Sequence, residues 1–447
     1  MPTSAQVLGK FAAQLKFQDI PSIVAARAKE CIIDTIAAAS FGVQFPWSRL
    51  VVDYARRYGG GGDCSVVGFP DARLHAPYAA LANGVLAHAF ELDSGSHADV
   101  GVHPGATLLP AILAACEETN ADGKTAIAAF VAGCEVVFRL ALASRHAPEK
   151  LGFHAPGLNG PYGAAAAAGR IFGLDADQLA HALGIAGSLS AGLLACTKSR
   201  YGAMVKRLHL GRAAESGILA ARLAKAGYTG PETVLEGEFG FLNAYCGDKG
   251  DFNLLTAGLY ESWETLHICL KRYACNMNAH TPVQALRELM SEHAFCGADV
   301  EKIVVEGSGK LLTHHNITEP ADIMKAQYSV PFCVALALFR DPDDPRSFDA
   351  SALDDAAIRA ACRNVEVRER ARAGGSVRST RTGVRLKNGR EFARELDSFK
   401  GMPDDPFSRA ELRRKFMLLT AATGDAVAAR LFERLEGLET ERRFSLV

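Results

Sequence analysis

The chain has little that would mark a nucleic-acid-binding or membrane protein. Its 49 Lys and Arg are matched by 50 Asp and Glu, a net charge of −1, so no field of one sign attracts DNA, RNA or an anionic membrane. Any anionic ligand must therefore be held by a local basic pocket. Long apolar runs are missing too. The nearest, Ala182–Cys196, is short, broken by Gly184, Gly187 and Gly192, and reads as a buried helix pair rather than a span. MPTSAQVLGKFAAQLKF at the start has neither an uninterrupted apolar core nor a small-residue cleavage site, so no signal peptide is expected. The eleven cysteines are odd in number and never spaced CxxC, which points to a reduced, cytoplasmic protein rather than a disulfide framework. Phosphate-loop, HExxH and nucleophile-elbow motifs are absent. GGGGDCSVVG lacks the GxGxxG spacing and follows a helical pattern, so it reads as a loop.

What is present is a helical protein with an insertion. At 447 residues the chain exceeds a single-core domain. IVAARAKECIIDTIAAASFG carries apolar residues at three-four spacing up to Gly42, with Pro21 at the helix start. Asp175 and Gln178 form a capping-box-like pair, and GPYGAAAAAGRIFGL is dense in residues that let helices approach closely. Near residue 300 the period changes. Val300–Glu306 and Asn364–Arg368 read as strands, VRLKNGREFAREL as a hairpin turning at Asn388–Gly389, and Ile323–Phe339 as a helix. After Pro403 helices return. The expected fold is mainly α: a large helical bundle from residues 1–267 and 402–447, with an inserted α+β lid over residues 268–401.

The richest segment is HAFELDSGSHADVGVHPGATLLP, residues 88–110, where three histidines (His88, His97, His103) and three acids (Glu91, Asp93, Asp99) separate two apolar runs. Burying each unpaired would cost several kcal/mol, so the cluster points to chemistry. A metal held by His97 and His103 with Asp93 or Asp99 matches no compact zinc spacing, and no metal is expected. His154, between glycines and prolines before an Ala-rich run, either marks a carboxylate-binding helix N-terminus or simply caps the helix. TKSRYGAMVKRLHLGRAAESG puts Lys206 and His209 three apart on one face and reads as an anion pocket. HICLKRYACNMNAHTPVQAL, with Lys271, Arg272, Asn276 and His280, is either a solvated helix end or a hinge that supplies site residues. Tyr328, taken alone, is a core tyrosine as readily as a site residue.

In this order, HAFELD…HPG, GFH, VKRLHLGRAAESG, LKRYACNMNAH and AQYSVPFCVAL resemble the MmgE/PrpD family, which includes 2-methylcitrate dehydratase, cis-aconitate decarboxylase and iminodisuccinate epimerase. The resemblance covers nearly the whole chain. It implies a helical domain with an inserted lid, a homodimer, no cofactor, and a small di- or tricarboxylate substrate. It also implies catalytic roles for His103, His154, Lys206, Lys271 and Tyr328. Around them Glu91, Asp93, His97, Arg207, Arg272, Asn276 and His280 are candidates for substrate binding. Dehydratases and decarboxylases of the family usually read H-x-x-D-[FY]-[DN]-D-T where this chain has His88-Ala89-Phe90-Glu91-Leu92-Asp93-Ser94-Gly95, and Asn276 stands where the decarboxylases carry histidine.

Chemistry at the carbon next to a carboxylate creates an enolate-like dianion, which demands cations aimed at the developing charge and a base of near-neutral pKa. The altered 91–95 motif removes a plausible part of a dehydratase's acid apparatus. The expectation from sequence is therefore an epimerase acting on an iminodisuccinate-like dicarboxylate. Dehydration of a 2-methylcitrate-like acid, decarboxylation of cis-aconitate, and carboxylate binding without catalysis are the alternatives.

Overall fold

The computed structural model describes residues 1–97, 100–370 and 376–446. The fold is mainly α, with twenty α-helices and three small sheets among the described residues. The chain divides into two compact units. One is Met1–Ala195 with Met204–Leu270 and Ser408–Val447; the other is Lys271–Phe407 with Cys196–Ala203. The sequence reading placed residues 196–203 with the first unit and drew its boundaries at 267/268 and 401/402.

The first unit is built on helices that are buried on nearly every face. Helix Gly123–Ser144 starts where the Asp122 side chain accepts from the Thr125 amide, and ends at Arg145 in a left-handed conformation. It is long and apolar enough by length and composition to cross a membrane, with mean hydropathy 2.0, and 94% of that window is buried inside the protein. This corrects the sequence reading, which placed the most span-like run at Ala182–Cys196; there the helix stops at Ser188 and a partly exposed loop follows. Phe130 and Phe138 on the buried helix are 0% exposed, each contributing roughly 2–3 kcal/mol of apolar burial.

Small residues set how closely these helices approach. A Cβ on Gly84, in helix Ala76–Ala87, would lie 2.5 Å from the Cα of Gly211, in helix Val205–Lys225. No larger residue fits at that crossing, so the two backbones pack directly.

Helix Gly123–Ser144 also carries a buried ion pair, Glu135–Arg139. Glu135 accepts from the Thr265 amide and hydroxyl (3.0 and 2.9 Å) and from the Glu264 amide (3.1 Å), while Arg139 donates to the carbonyls of Ala257 and Ser262. Burying such a pair adds little net stability, but it fixes the 257–265 segment in place.

The Gly-rich run read as a loop is strand β1, Gly60–Val66, paired antiparallel with β2, Phe69–Leu74. Two side chains remote in sequence complete its hydrogen bonds. Asn83 accepts from the Val67 amide and donates to the Ser65 carbonyl (2.9 Å each), and Glu117 accepts from the Ser65 amide and hydroxyl (2.6 and 2.7 Å). Local propensity cannot register such partners. A second pair of very short strands, β3 (Gly95–Ser96) and β4 (Ile268–Cys269), pairs Gly95 with Cys269 and Ser96 with Ile268. The segment pinned by Glu135 and Arg139 thus runs into the strand that braces the 91–97 loop.

The second unit contains a four-stranded sheet in the order β6-β5-β7-β8, formed by β5 (Val300–Gly307), β6 (Val365–Glu369), β7 (Thr380–Leu386) and β8 (Glu391–Leu396). β5 runs parallel to β6 and antiparallel to β7. The β7–β8 turn contains Asn388 and Gly389, the latter at φ +85°, a conformation that needs glycine. The single helix expected over Ile323–Phe339 is two, Ile323–Ala326 and Val330–Phe339. Ser329 caps the second by accepting from the Phe332 amide, and Pro331 in its first turn has no N–H to continue the first.

Candidate active site

Helix Ala76–Ala87 runs out at His88, and the chain turns sharply at Glu91, which sits at φ +56°. A left-handed glutamate costs on the order of 1 kcal/mol or more, a strain that persists only where surrounding contacts over-determine it. The contacts are there. Glu91 forms a buried ion pair with Lys206 from helix Val205–Lys225. The next residue on that helix, Arg207, donates from Nε to the Ala89 carbonyl at 2.8 Å, with its guanidinium 4.9 Å from the centre of the Trp47 ring. Downstream, Lys415 from helix Arg409–Leu419 bridges Asp34 and the Leu92 carbonyl. The Ser94 hydroxyl accepts from the Gly105 amide at 3.0 Å and lies 3.2 Å from the Cys31 sulfur. Both ends of the chain thus supply side chains that hold this loop.

Inside it, Asp93 is fully buried and each of its oxygens meets an imidazole: Oδ1 lies 2.9 Å from His88 Nδ1, and Oδ2 lies 2.7 Å from His103 Nδ1. A carboxylate only accepts, so both Nδ1 atoms carry protons, and in each neutral ring Nε2 keeps the lone pair. The two rings stand edge-on, 4.9 Å apart, but differ in access: the His88 side chain is 0% exposed and that of His103 is 16% exposed. Burial holds the His88 pKa down at about 3; Asp93 opposes this, and Lys206 reinforces it. His88 is therefore neutral at ordinary pH, and His103 is the more accessible of the two rings. Nδ1 of both rings and the Asp93 carboxylate lie within 4.8 Å of one another. That spacing is hydrogen-bond geometry; a cation held by these three atoms would first have to displace both protons.

His154 occupies the N-cap position of helix Ala155–Ile171, but its side chain does not cap the helix. Instead its Nδ1 meets the Nδ1 of His209 at 2.9 Å, with ring centres 5.0 Å apart. Burial drives the His154 pKa well below the usual imidazole value, and Lys206, His209, His103 and His88 all push it the same way. His209 is lowered by burial and then by Lys206. At neutral pH this pair is uncharged beside a charged lysine.

The structure thus gathers Glu91, Asp93, His103, His154, Lys206 and Arg207 in the first unit, together with His88 and His209, which the sequence places in the opening cluster and the anion pocket but not among the site residues. His88 was legible as a member of the opening cluster, and His209 as the residue one turn from Lys206. His97 follows β3, its amide donating to the His267 carbonyl at 2.9 Å. Asp99 lies outside the described residues. Lys271, Arg272, Asn276, His280 and Tyr328 belong to the second unit. There Lys271 is buried, while Arg272 grips Asp343 through Nε and an NH2 group (2.6 and 2.8 Å). Asn276 accepts from the amide and side chain of Asn278 (3.0 and 2.9 Å). His280 opens helix His280–His293, packed against the rings of Tyr273 and Phe399. The Tyr328 carbonyl accepts from His315 Nδ1 at 3.0 Å.

Residues 6–253 match the MmgE/PrpD N-terminal domain, and residues 273–438 match the MmgE/PrpD C-terminal domain. The chain belongs to the MmgE/PrpD family. It is 35% identical over 300 residues to a cis-aconitate decarboxylase of Aspergillus terreus, an alignment covering 63% of this chain and 59% of that protein. It is 28% identical over 418 residues to the Homo sapiens cis-aconitate decarboxylase, covering 90% of this chain and 84% of the relative. The Mus musculus cis-aconitate decarboxylase is 26% identical over 446 residues, covering 95% and 89%.

These relatives overturn the expectation of an iminodisuccinate epimerase: they are named decarboxylases, which are lyases. The physical reason is visible in the loop. By its letters the altered motif reads as a loss of acid apparatus, yet Glu91 holds Lys206 and Asp93 orients two imidazoles. The departure from the usual motif leaves two working carboxylates in place.

Proposed function

We propose that this member of the MmgE/PrpD family is a lyase that decarboxylates a cis-aconitate-like unsaturated tricarboxylic acid. The observation that carries the reading is the Asp93–His103 pair, with Nδ1 of His103 held on the carboxylate and the His103 side chain still 16% exposed. Relatives named cis-aconitate decarboxylases, at 26–35% identity, support the substrate class.

In this reaction the bond from carbon to one carboxylate breaks and carbon dioxide leaves. The electron pair spreads over the adjacent double bond and its carboxylate, and a proton is added to carbon. Each turnover therefore consumes one proton from solvent. Lys206 supplies positive charge where the dianion develops, and a water-poor surrounding makes that charge count for more than it would in bulk solvent. A histidine supplies the proton, His103 or His154 according to the face presented. Glu91 keeps the Lys206 ammonium in place between turnovers. Lys271 and Tyr328, which the family resemblance marks, are further contributors in this reading.

The test is to incubate the purified protein with cis-aconitate in deuterated water and follow it by proton NMR with a carbon dioxide assay. The expected result is stoichiometric carbon dioxide and a product carrying one deuterium on carbon. Failure to release carbon dioxide, or loss of water from 2-methylcitrate instead, would overturn the proposal.

A further inference from the structure

The family resemblance marks only one member of the pair formed by His154 and His209. His154 is buried, with 7% of its surface exposed, whereas His209 is only partly buried. They meet back to back, Nδ1 to Nδ1 at 2.9 Å. A Cβ built on Gly192, at φ +148°, would lie 3.4 Å from His209 Nδ1 and 3.5 Å from His154 Cβ, and the Gly192 carbonyl accepts from the His154 amide at 3.1 Å. A hydrogen bond between two imidazole nitrogens requires exactly one proton between them. If both rings are neutral, one is the Nδ1–H form with a bare Nε2, and the other has a bare Nδ1 and carries its proton on Nε2. The titratable groups facing the pair are Lys206, which acts on both rings, and His103 and His88, which act on His154; all disfavour a positive charge there. Among the described residues, no carboxylate is among the groups that shift either ring.

We infer that His209 is the proton-relay partner of His154, acting through it to return to the site the proton that each turnover consumes. When His154 gives its Nε2 proton to carbon, its imidazole is left with excess basicity. The proton between the rings then moves from His209 Nδ1 to His154 Nδ1, and His209 regains a proton at Nε2 from solvent. These transfers leave His154 as the Nδ1–H form and His209 as the Nε2–H form. After product leaves, water in the emptied site protonates His154 Nε2, the shared proton moves back to His209 Nδ1 and the His209 Nε2 proton returns to solvent, so each turnover consumes one solvent proton and the pair is restored. The relay avoids placing a free imidazolium in a buried site beside Lys206, because the two transfers are coupled across one hydrogen bond. His209 touches no reacting atom in this scheme and is a positioning residue for protons. The link to turnover rests on the decarboxylase reading, whereas the shared proton itself does not.

His209→Asn tests both parts, since its side-chain amide takes the place of Nδ1 and keeps a bond to His154 but cannot pass a proton through. The relay predicts a fall in kcat of about 10- to 100-fold with KM changed less than about two-fold. It also predicts recovery as imidazole or another small buffer is added, while the wild-type rate ignores buffer. A variant kcat within about two-fold of wild type between about pH 6 and 8 would overturn the relay, as would a loss that no buffer restores. Independently of any substrate, nitrogen-15 NMR of the wild-type imidazoles should find one ring of the pair as the Nδ1–H tautomer at neutral pH, lost in the variant. Two Nε2–H rings would sink the inference. Should wild-type protein leave cis-aconitate untouched, the functional proposal fails, and the tautomer measurement still decides the pair. It does so equally if the variant does not fold.

Discussion

Asp93→Asn is the most informative single change, because it preserves shape and removes only the ability to accept on both sides. In the native site each carboxylate oxygen takes an Nδ1–H, at 2.9 Å from His88 and 2.7 Å from His103. An asparagine offers one oxygen and one NH2, so one of the two imidazoles meets a donor with a donor. That ring must either lose its bond or move its proton to Nε2. If His103 yields, its only proton sits on the outward nitrogen, and giving that proton to carbon would leave an imidazolate, so the ring no longer serves as the proton donor. If His88 yields, the misfit sits in a fully buried place. A lost charge-assisted bond with an unsatisfied buried group is worth about 1.5–3 kcal/mol. Stability should fall by that amount, read as a lower urea midpoint with unchanged slope. The wrong tautomer should lower kcat by about 10²- to 10⁴-fold while KM stays within a few-fold, because orientation matters more in the transition state than in binding. The assay is carbon dioxide release over a range of substrate concentrations, beside the denaturation curve. Turnover within about tenfold of wild type in a variant destabilised as expected would refute the reasoning, since Asp93 would then be a purely structural anchor.

Three further outcomes follow from the same geometry. Lys206→Met leaves the buried Glu91 carboxylate without the Lys206 ammonium and should destabilise by about 3–5 kcal/mol, while adding Glu91→Gln recovers stability without activity; recovery of turnover in the double variant would remove Lys206 from the site. Because His88 is held at about 3 against an ordinary 6.5, the unfolded chain binds a proton that the folded chain refuses between those values. Stability should therefore fall as pH drops through that window, with a slope approaching about 1.4 kcal/mol per pH unit for this one group. His88→Gln should flatten the curve, and an unchanged slope would show His88 to be charged in the fold. Arg139→Met leaves Glu135 buried in helix Gly123–Ser144 without its partner and should cost about 3–5 kcal/mol, whereas Glu135→Gln with Arg139→Met should cost less; equal losses would mean the pair contributes only shape.

The retained carboxylates explain why the loop's sequence misled. A count of motif letters treats Glu91 and Ser94 as losses. In the folded chain Glu91 reaches Lys206 from a left-handed turn, and Ser94 accepts from Gly105. The extra methylene of glutamate and the αL turn act together, and neither is visible without the other.

The sequence by itself determined the periodic elements. The long helices, the capping box at Asp175, the β7–β8 turn at Asn388–Gly389 and the strands β5 and β6 follow from spacing and turn chemistry, which are local properties of the chain. It also marked the cluster from His88 to His103 as too polar for a plain helix junction. Tertiary structure alone decided which of those groups meet. His88 and His103 share one carboxylate, His209 completes His154, and Arg207 turns to the Ala89 backbone. The glycine run is β1 because it pairs with β2, and Asn83 and Glu117 satisfy the backbone groups at its end. These hydrogen bonds span from 5 residues (His88 to Asp93) to 118 (Ala89 to Arg207), and no helical or strand period encodes them. They exist because a buried polar group must find a partner wherever the packed helices bring one within reach.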